Sequence, residues 1–185
     1  MTTIQTITTP ITKEKIKALY AGDILSITGT IYTGRDAAHQ KLVALIQENK
    51  PLPFDLTDSI LYYVGPAPAK PGKPIGSAGP TSSYRMDPYT PYLLAQGSLI
   101  SIGKGPRSQE IKEALVKYQG LYLSAVGGTA ALTANSIKKC ELIAYPELGA
   151  EAIYKLEVVD FFAVVTYDSY GNDLLETGIS QYQIR

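Results

Sequence analysis

Cysteine and histidine are almost missing from this sequence, which has one of each. A zinc site or an iron–sulfur cluster needs several thiolate or imidazole ligands, so the chain builds neither alone. Cys140 has no partner for a disulfide, which argues against a stapled secreted fold and makes the cytoplasm the expected compartment. No apolar run nears the ~20 residues of a membrane helix. Met1 to Pro10 lacks the basic start and apolar stretch of a signal peptide. Neither sign of charge is in excess: 17 basic and 17 acidic residues cancel, so no general attraction to nucleic acid or an anionic membrane is expected. Gly72 to Gly79 resembles a phosphate loop but lacks its Gly-Lys-Ser/Thr ending.

The content that remains is globular: 45% hydrophobic and 18% charged residues are enough to build a core without metal or disulfide. The chain is read as one domain, 1–185, with residues 1–10 as an N-terminal extension free to flex. Thr12 suits a helix cap before Lys13 to Leu19. β-Branched residues from Ile24 to Ile31 predict a strand, and helical spacing of Ala38, Leu42, Leu45 and Ile46 predicts a helix over about Arg35 to Asn49. Further strands are expected at Ile60 to Val64, Leu99 to Gly103, Leu121 to Val126, Ile137 to Ala144 and Leu156 to Tyr167. In the last of these, Phe161, Phe162, Val164 and Val165 read as a buried run. Helices are expected from Asp87 to Ala95, from Ser108 to Tyr118 and after Gly127-Gly128-Thr129, and a turn at Tyr170 to Asp173. Gly65 to Pro80 holds five prolines and four glycines, and its neighbours make it an ordered site loop rather than a linker. Cys140 reads as a packing residue of its strand. The whole is a mixed α/β domain.

Three junctions share one form, strand then glycine then helix: Ile31 to Arg35, Ile100 to Arg107 and Val126 to Ala130. A helix N-terminus offers free N–H groups, and glycine lets a ligand approach the backbone. Arg35 and Lys104 at such places point to a carboxylate or phosphate. Arg35 and Arg85 suit a pair of carboxylates, because a guanidinium fork matches a carboxylate with two bonds. The alternative is internal pairing, Arg35 with Asp36 or a neighbouring acid and Arg85 with Asp87. Thr81 either contributes its hydroxyl to chemistry or caps its turn. Lys104 between two glycines has little packing for its stem. His39, one turn after Arg35, is a general acid or base, or an orienting or surface residue.

The motifs Thr33-Gly34-Arg35-Asp36-Ala37-Ala38-His39, Gly79-Pro80-Thr81-Ser82-Ser83-Tyr84-Arg85-Met86-Asp87, Ile102-Gly103-Lys104-Gly105, Gly127-Gly128, Leu148 to Ile153 and Gly171-Asn172-Asp173 occur in this order. Together they resemble the β subunit, or C-terminal domain, of class I iron–sulfur fumarate hydratases and L(+)-tartrate dehydratases. The resemblance implies a swivelling β/β/α three-layer domain with mixed sheets. It implies a cysteine-bearing α subunit that holds a [4Fe–4S] cluster, an α2β2-type assembly, and reversible hydration of fumarate to (S)-malate. It further implies that Arg35, Arg85, Lys104 and Gly103 bind substrate and that Thr81 and Lys104 are catalytic, with Thr81 taking the C3 proton. His39, Asp36, Ser82, Asp87, Gly127 and Gly128 would support them, with no metal ligand in this chain. The family commonly has Thr-Thr-Ser where this chain has Thr81-Ser82-Ser83. Tartrate or mesaconate is the alternative substrate, and a non-catalytic organic-acid-binding regulator is the alternative class.

Overall fold

The computed structural model describes residues 4–126 and 128–184. Among these, seven strands share one sheet: β1 (Ile4–Thr8), β2 (Ile24–Thr33), β3 (Ile60–Tyr62), β4 (Ile100–Gly103), β5 (Leu121–Ser124), β6 (Ile137–Ala144) and β7 (Ile153–Tyr167). The helices are α1 (Lys13–Lys17), α2 (Asp36–Gln47), α3 (Thr90–Ala95), α4 (Gln109–Tyr118), α5 (Ala130–Ser136) and α6 (Leu174–Tyr182), with 3₁₀ turns at Ser83–Met86 and Pro146–Glu151. The mixed α/β class expected from the sequence is the class observed.

Strands β2, β3, β4 and β5 lie side by side and parallel. The long β7 then runs antiparallel to both β5 and β2, which closes these five strands into a ring. β1 adds to β2 in parallel and β6 adds to β7 antiparallel. Alternation decides what each face meets. Ile60, Tyr62, Ile100, Ile102, Leu121 and Leu123 point inward and pack with Leu25, Ile27, Ile31, Phe161 and Val165. Leu61 and Tyr63 point outward against Ala38 and Leu42 of α2 and Leu93 of α3. Tyr122 faces Ile111 and Leu115 of α4. The packing is therefore strand layer on strand layer across the inner core, with helices outside.

Local signals account for many element ends. Thr12 caps α1 by accepting from Lys15 N, as expected. Asp173 caps α6 by accepting from Leu175 N and Glu176 N, although α6 itself was not expected. The Pro-rich stretch is built into the fold rather than linking two parts. Ile75 and Ala78 lie in the inner core, and the buried Tyr62 hydroxyl donates to Ala78 O at 2.5 Å. Ile4–Thr8, expected within a free extension, pairs residue for residue with Ile24–Thr28, and Ile7 is buried. The expected buried run in β7 is corrected by the pleat. Phe161 is 1% exposed, whereas its neighbour Phe162 is 53% exposed on the opposite face. Cys140 of β6 packs against the inner core, and burial pushes its thiol up, which matches a packing role.

The two phenylalanines check this layering. Phe161→Ala should cost about 3–5 kcal/mol by opening an inner cavity. Phe162→Ala should stay within about 0.5 kcal/mol, as exposed positions do. Urea unfolding of the full chain measures both; equal losses would contradict the assigned faces.

Candidate functional site

Parallel strands put their C-terminal ends on one edge, where the chain turns into helices and a ligand can reach backbone groups. Here that edge carries Thr33-Gly34-Arg35 after β2, Tyr63-Val64-Gly65 after β3, Lys104-Gly105 after β4 and Ala125 after β5. Past their last mutual bond, β3 and β4 no longer pair directly, and Pro80 to Ser83 enters between them. Val64 bridges Pro80 antiparallel, and Ser82 bridges Lys104 in parallel. Thr81 N donates to Tyr63 O at 2.7 Å and Ser83 N to Lys104 O at 2.9 Å. The half-buried Thr81 and the exposed Lys104 therefore sit on neighbouring backbones. Thr81 uses its N–H here. Its hydroxyl makes no hydrogen bond among the described residues, so the turn-capping alternative finds no bond to support it.

The arginines pair crosswise. Arg35 precedes α2 and its Nη2 lies 3.1 Å from Glu151 Oε1. Arg85, on the 3₁₀ turn Ser83–Met86, reaches Asp36: Nε donates to Oδ1 at 3.0 Å, and Nη2 is 2.8 Å from Oδ2. Asp87 pairs with neither of them. It accepts from Arg107 Nε at 2.5 Å and Ser108 N at 2.7 Å. The internal pairs weighed for Arg35 with Asp36 and Arg85 with Asp87 are thus replaced by long-range ones. The exchange brings Arg35 and Arg85 to the same helix start. Both guanidinium groups stay partly open, with side chains 21% and 39% exposed, whereas Arg35 Nε is buried with no partner among the described residues. Lys104 forms no ion pair among those residues either. Arg35 faces Glu151 and Arg85 faces Asp36, and the N-terminus of α2 adds partial positive charge.

His39 is wholly buried, which excludes the surface reading. Arg35 O can only accept, so Nδ1 carries the proton and donates to it at 2.9 Å. Burial holds the imidazole down to about 4, against an ordinary 6.5, and Nε2 has no partner among the described residues. His39 is therefore a neutral residue that holds the Arg35 backbone. Ser82 contributes its backbone bridge to Lys104. Ala125 N donates to Gly103 O, so the chain leading to Gly128 leaves from this same edge. Gly128 is exposed with φ +83°, and Gly127 lies outside the described residues.

Two glycines give the site its close contacts. A Cβ on Gly103 would lie 1.9 Å from Ser83 Oγ, and one on Gly65 would lie 2.6 Å from Arg35 Nη1. Gly103 was expected in the site; Gly65, Glu151 and Arg107 were not. Gly65 opens the Pro-rich stretch, and Glu151 lies in the Leu148 to Ile153 motif, but neither position names its contact. A concavity of about 470 Å³ beside Lys70, Lys73 and Lys138 shares no lining residue with this site. With one cysteine in the sequence, these residues do not fit a [4Fe–4S] cluster, and among the described residues no cluster of potential metal ligands occurs.

Residues 2–178 match the model of a family described as Fumarase C-terminus. The chain belongs to that family. It is 50% identical over 154 residues to the anaerobic class I fumarate hydratase of Escherichia coli K12, covering 82% of this chain and 28% of that protein. It is 42% identical over 154 residues to the mitochondrial fumarate hydratase 1 of Leishmania major, again 82% of this chain and 28% of that one. It is also 40% identical over 172 residues to a Methanocaldococcus jannaschii protein provisionally named L(+)-tartrate dehydratase subunit beta, covering 90% and 88%. The chain thus spans 28% of the length of the two fumarate hydratases named here.

Two outcomes test the geometry. Gly103→Ala should displace Ser83 and disorder the Lys104 backbone, seen as lost amide protection at Lys104. Full protection there would refute the close contact. For His39, the unfolded chain takes up a proton near pH 6.5, while the folded chain resists until about pH 4. Its contribution is complete above pH 6.5 and is lost as pH falls toward 4. Wild type should therefore lose about 2–3 kcal/mol between pH 7 and pH 4.5 beyond what His39→Gln loses. Denaturant unfolding at both pH values gives the difference, and parallel curves would contradict a buried neutral histidine.

Proposed function

We propose that this chain is the β subunit of a class I-type fumarate hydratase. It supplies the carboxylate-binding and proton-transfer face, and a cysteine-bearing α subunit supplies the [4Fe–4S] cluster. The observation that carries this reading is the pairing of Arg85 with Asp36, the residue next to Arg35, on the sheet edge that also bears Thr81 and Lys104. A dicarboxylate needs a cationic contact for each end, and two open guanidinium groups provide them.

Removal of the C3 proton builds a second negative charge on the adjacent carboxylate. Fixed cations aimed at it can each lower the barrier by ~3–4 kcal/mol. Thr81 Oγ1 is the group we assign to that proton. A threonine hydroxyl is a weak base, and the exposed ammonium of Lys104 on the adjoining backbone favours its ionised form. Departure of the hydroxyl belongs to the partner's side of the site. An α2β2 assembly, a cytoplasmic setting and a swivel between the subunits complete the reading. Among the described residues no helix is long and apolar enough to cross a membrane. Tartrate dehydration is the second reading, favoured by the relative of similar length that carries that name.

The chain alone should show no hydratase activity. Co-expression with an α chain bearing several cysteines, assayed anaerobically with fumarate, tartrate and mesaconate, should restore it. In that complex Arg85→Ala should lower kcat/KM by about 10²–10³ with the fold intact. Activity of the isolated chain in air, or unchanged kinetics in the variant, would overturn the assignment.

A further inference from the structure

Beneath the sheet edge lies a buried cation with no part in the contacts above except through Asp87. The Arg107 side chain is 0% exposed. Besides Asp87 it donates from Nη2 to Thr90 Oγ1 at 2.7 Å, and its guanidinium sits 5.3 Å and 5.1 Å from the ring centroids of Tyr63 and Tyr122. Burying such a charge is costly unless its geometry is satisfied, so every one of these partners is held in place by it.

Two of those partners lead straight to the edge. Asp87 ends the 3₁₀ turn that carries Arg85, and its second oxygen takes Ser108 N at the start of α4. The Tyr122 hydroxyl is 2.9 Å from both Ser83 Oγ and Gly105 O. A hydroxyl has one proton and a carbonyl only accepts, so that proton goes to Gly105 and Ser83 supplies the other. Ser83 Oγ in turn accepts from Lys104 N at 3.0 Å. A closed circuit results: Lys104 N–H to Ser83, Ser83 to Tyr122, Tyr122 to Gly105 C=O. It returns to the residue next to Lys104, with Arg107 against the tyrosine face.

We infer that Arg107 is a positioning residue whose ion pair with Asp87 and cation–π contact with Tyr122 together hold Lys104 in place against the Thr81–Arg85 segment. The guanidinium ties both backbones at once: Asp87 anchors the segment before it, and Tyr122 anchors the Lys104-Gly105 loop. An ammonium has no planar fork to meet Asp87 and Thr90 together. The functional part of this inference rests on the roles proposed above for Lys104 and Arg85.

The test compares wild type, Arg107→Lys and Arg107→Met in the full chain and in its complex with the α subunit. Amide exchange reads the geometry. In both variants Lys104, Ser83 and Ser108 amides should exchange at least about tenfold faster, less so in Arg107→Lys, while β2 amides such as Thr30 keep their rates. Unchanged exchange at Lys104 and Ser83, or equal acceleration in β2, would overturn the clamp. Kinetics reads the consequence. In the complex kcat should fall about tenfold or more in Arg107→Met with KM changed less than about threefold, and Arg107→Lys should recover part of it. Local loosening with unchanged kcat would also overturn the positioning role. If the wild-type complex turns over no diacid, the proposed function fails, and the exchange pattern still decides whether Arg107 is the clamp.

Discussion

The insertion of Pro80 to Ser83 between the ends of β3 and β4 is the constraint on which this site depends. Backbone N–H and C=O groups at strand ends need partners. Thr81 N–H on Tyr63 O and Ser83 N–H on Lys104 O provide them. Because these bonds are backbone bonds, they set the Thr81–Ser83 backbone against Tyr63 and Lys104 whatever the side chains do. The 3₁₀ turn that follows then carries Arg85 to Asp36, next in sequence to Arg35. Three segments far apart in the chain are brought together by a few main-chain hydrogen bonds at one sheet edge.

Charge is then arranged around that frame with partial compensation. Asp36 and Glu151 orient the two guanidinium groups without covering them. A fully paired arginine would have little left for a ligand, and an unpaired one would be free to swing. The intermediate state observed here is preorganisation, in which the cations are already aimed before an anion arrives. Deeper charge is treated differently: Arg107 is fully enclosed and fully partnered, while His39 is enclosed and neutral. Exposed charges at the rim are available for binding, and buried ones serve geometry.

Much of the fold was legible locally. Thr12 as a cap, Ile137 to Ala144 as a strand and the Gly34 break before α2 follow from side-chain chemistry within a few residues. The motifs around Arg35, Arg85 and Lys104 were legible as anion-binding chemistry for the same reason. Other features were not. Phe162 has the same character as Phe161, and only the pleat tells them apart. Ile4–Thr8 is rich in β-branched residues, but its pairing as a strand depends on the edge that β2 offers it. Arg35 and Arg85 do not pair with their sequence neighbours, because the acids that meet them lie far away along the chain. Gly65 and Arg107 matter through contacts with distant residues, which no local pattern encodes.

Composition alone sets the inventory: neutral total charge, too few thiols for a cluster, and guanidinium, ammonium and hydroxyl groups set beside glycines at strand ends. Those properties are composition and local chemistry, present in any conformation. Which charges meet is settled by the folded arrangement. Ion pairs and buried hydrogen bonds depend on distances of a few ångströms between residues tens of positions apart, and those distances exist only after the parallel strands have aligned their ends.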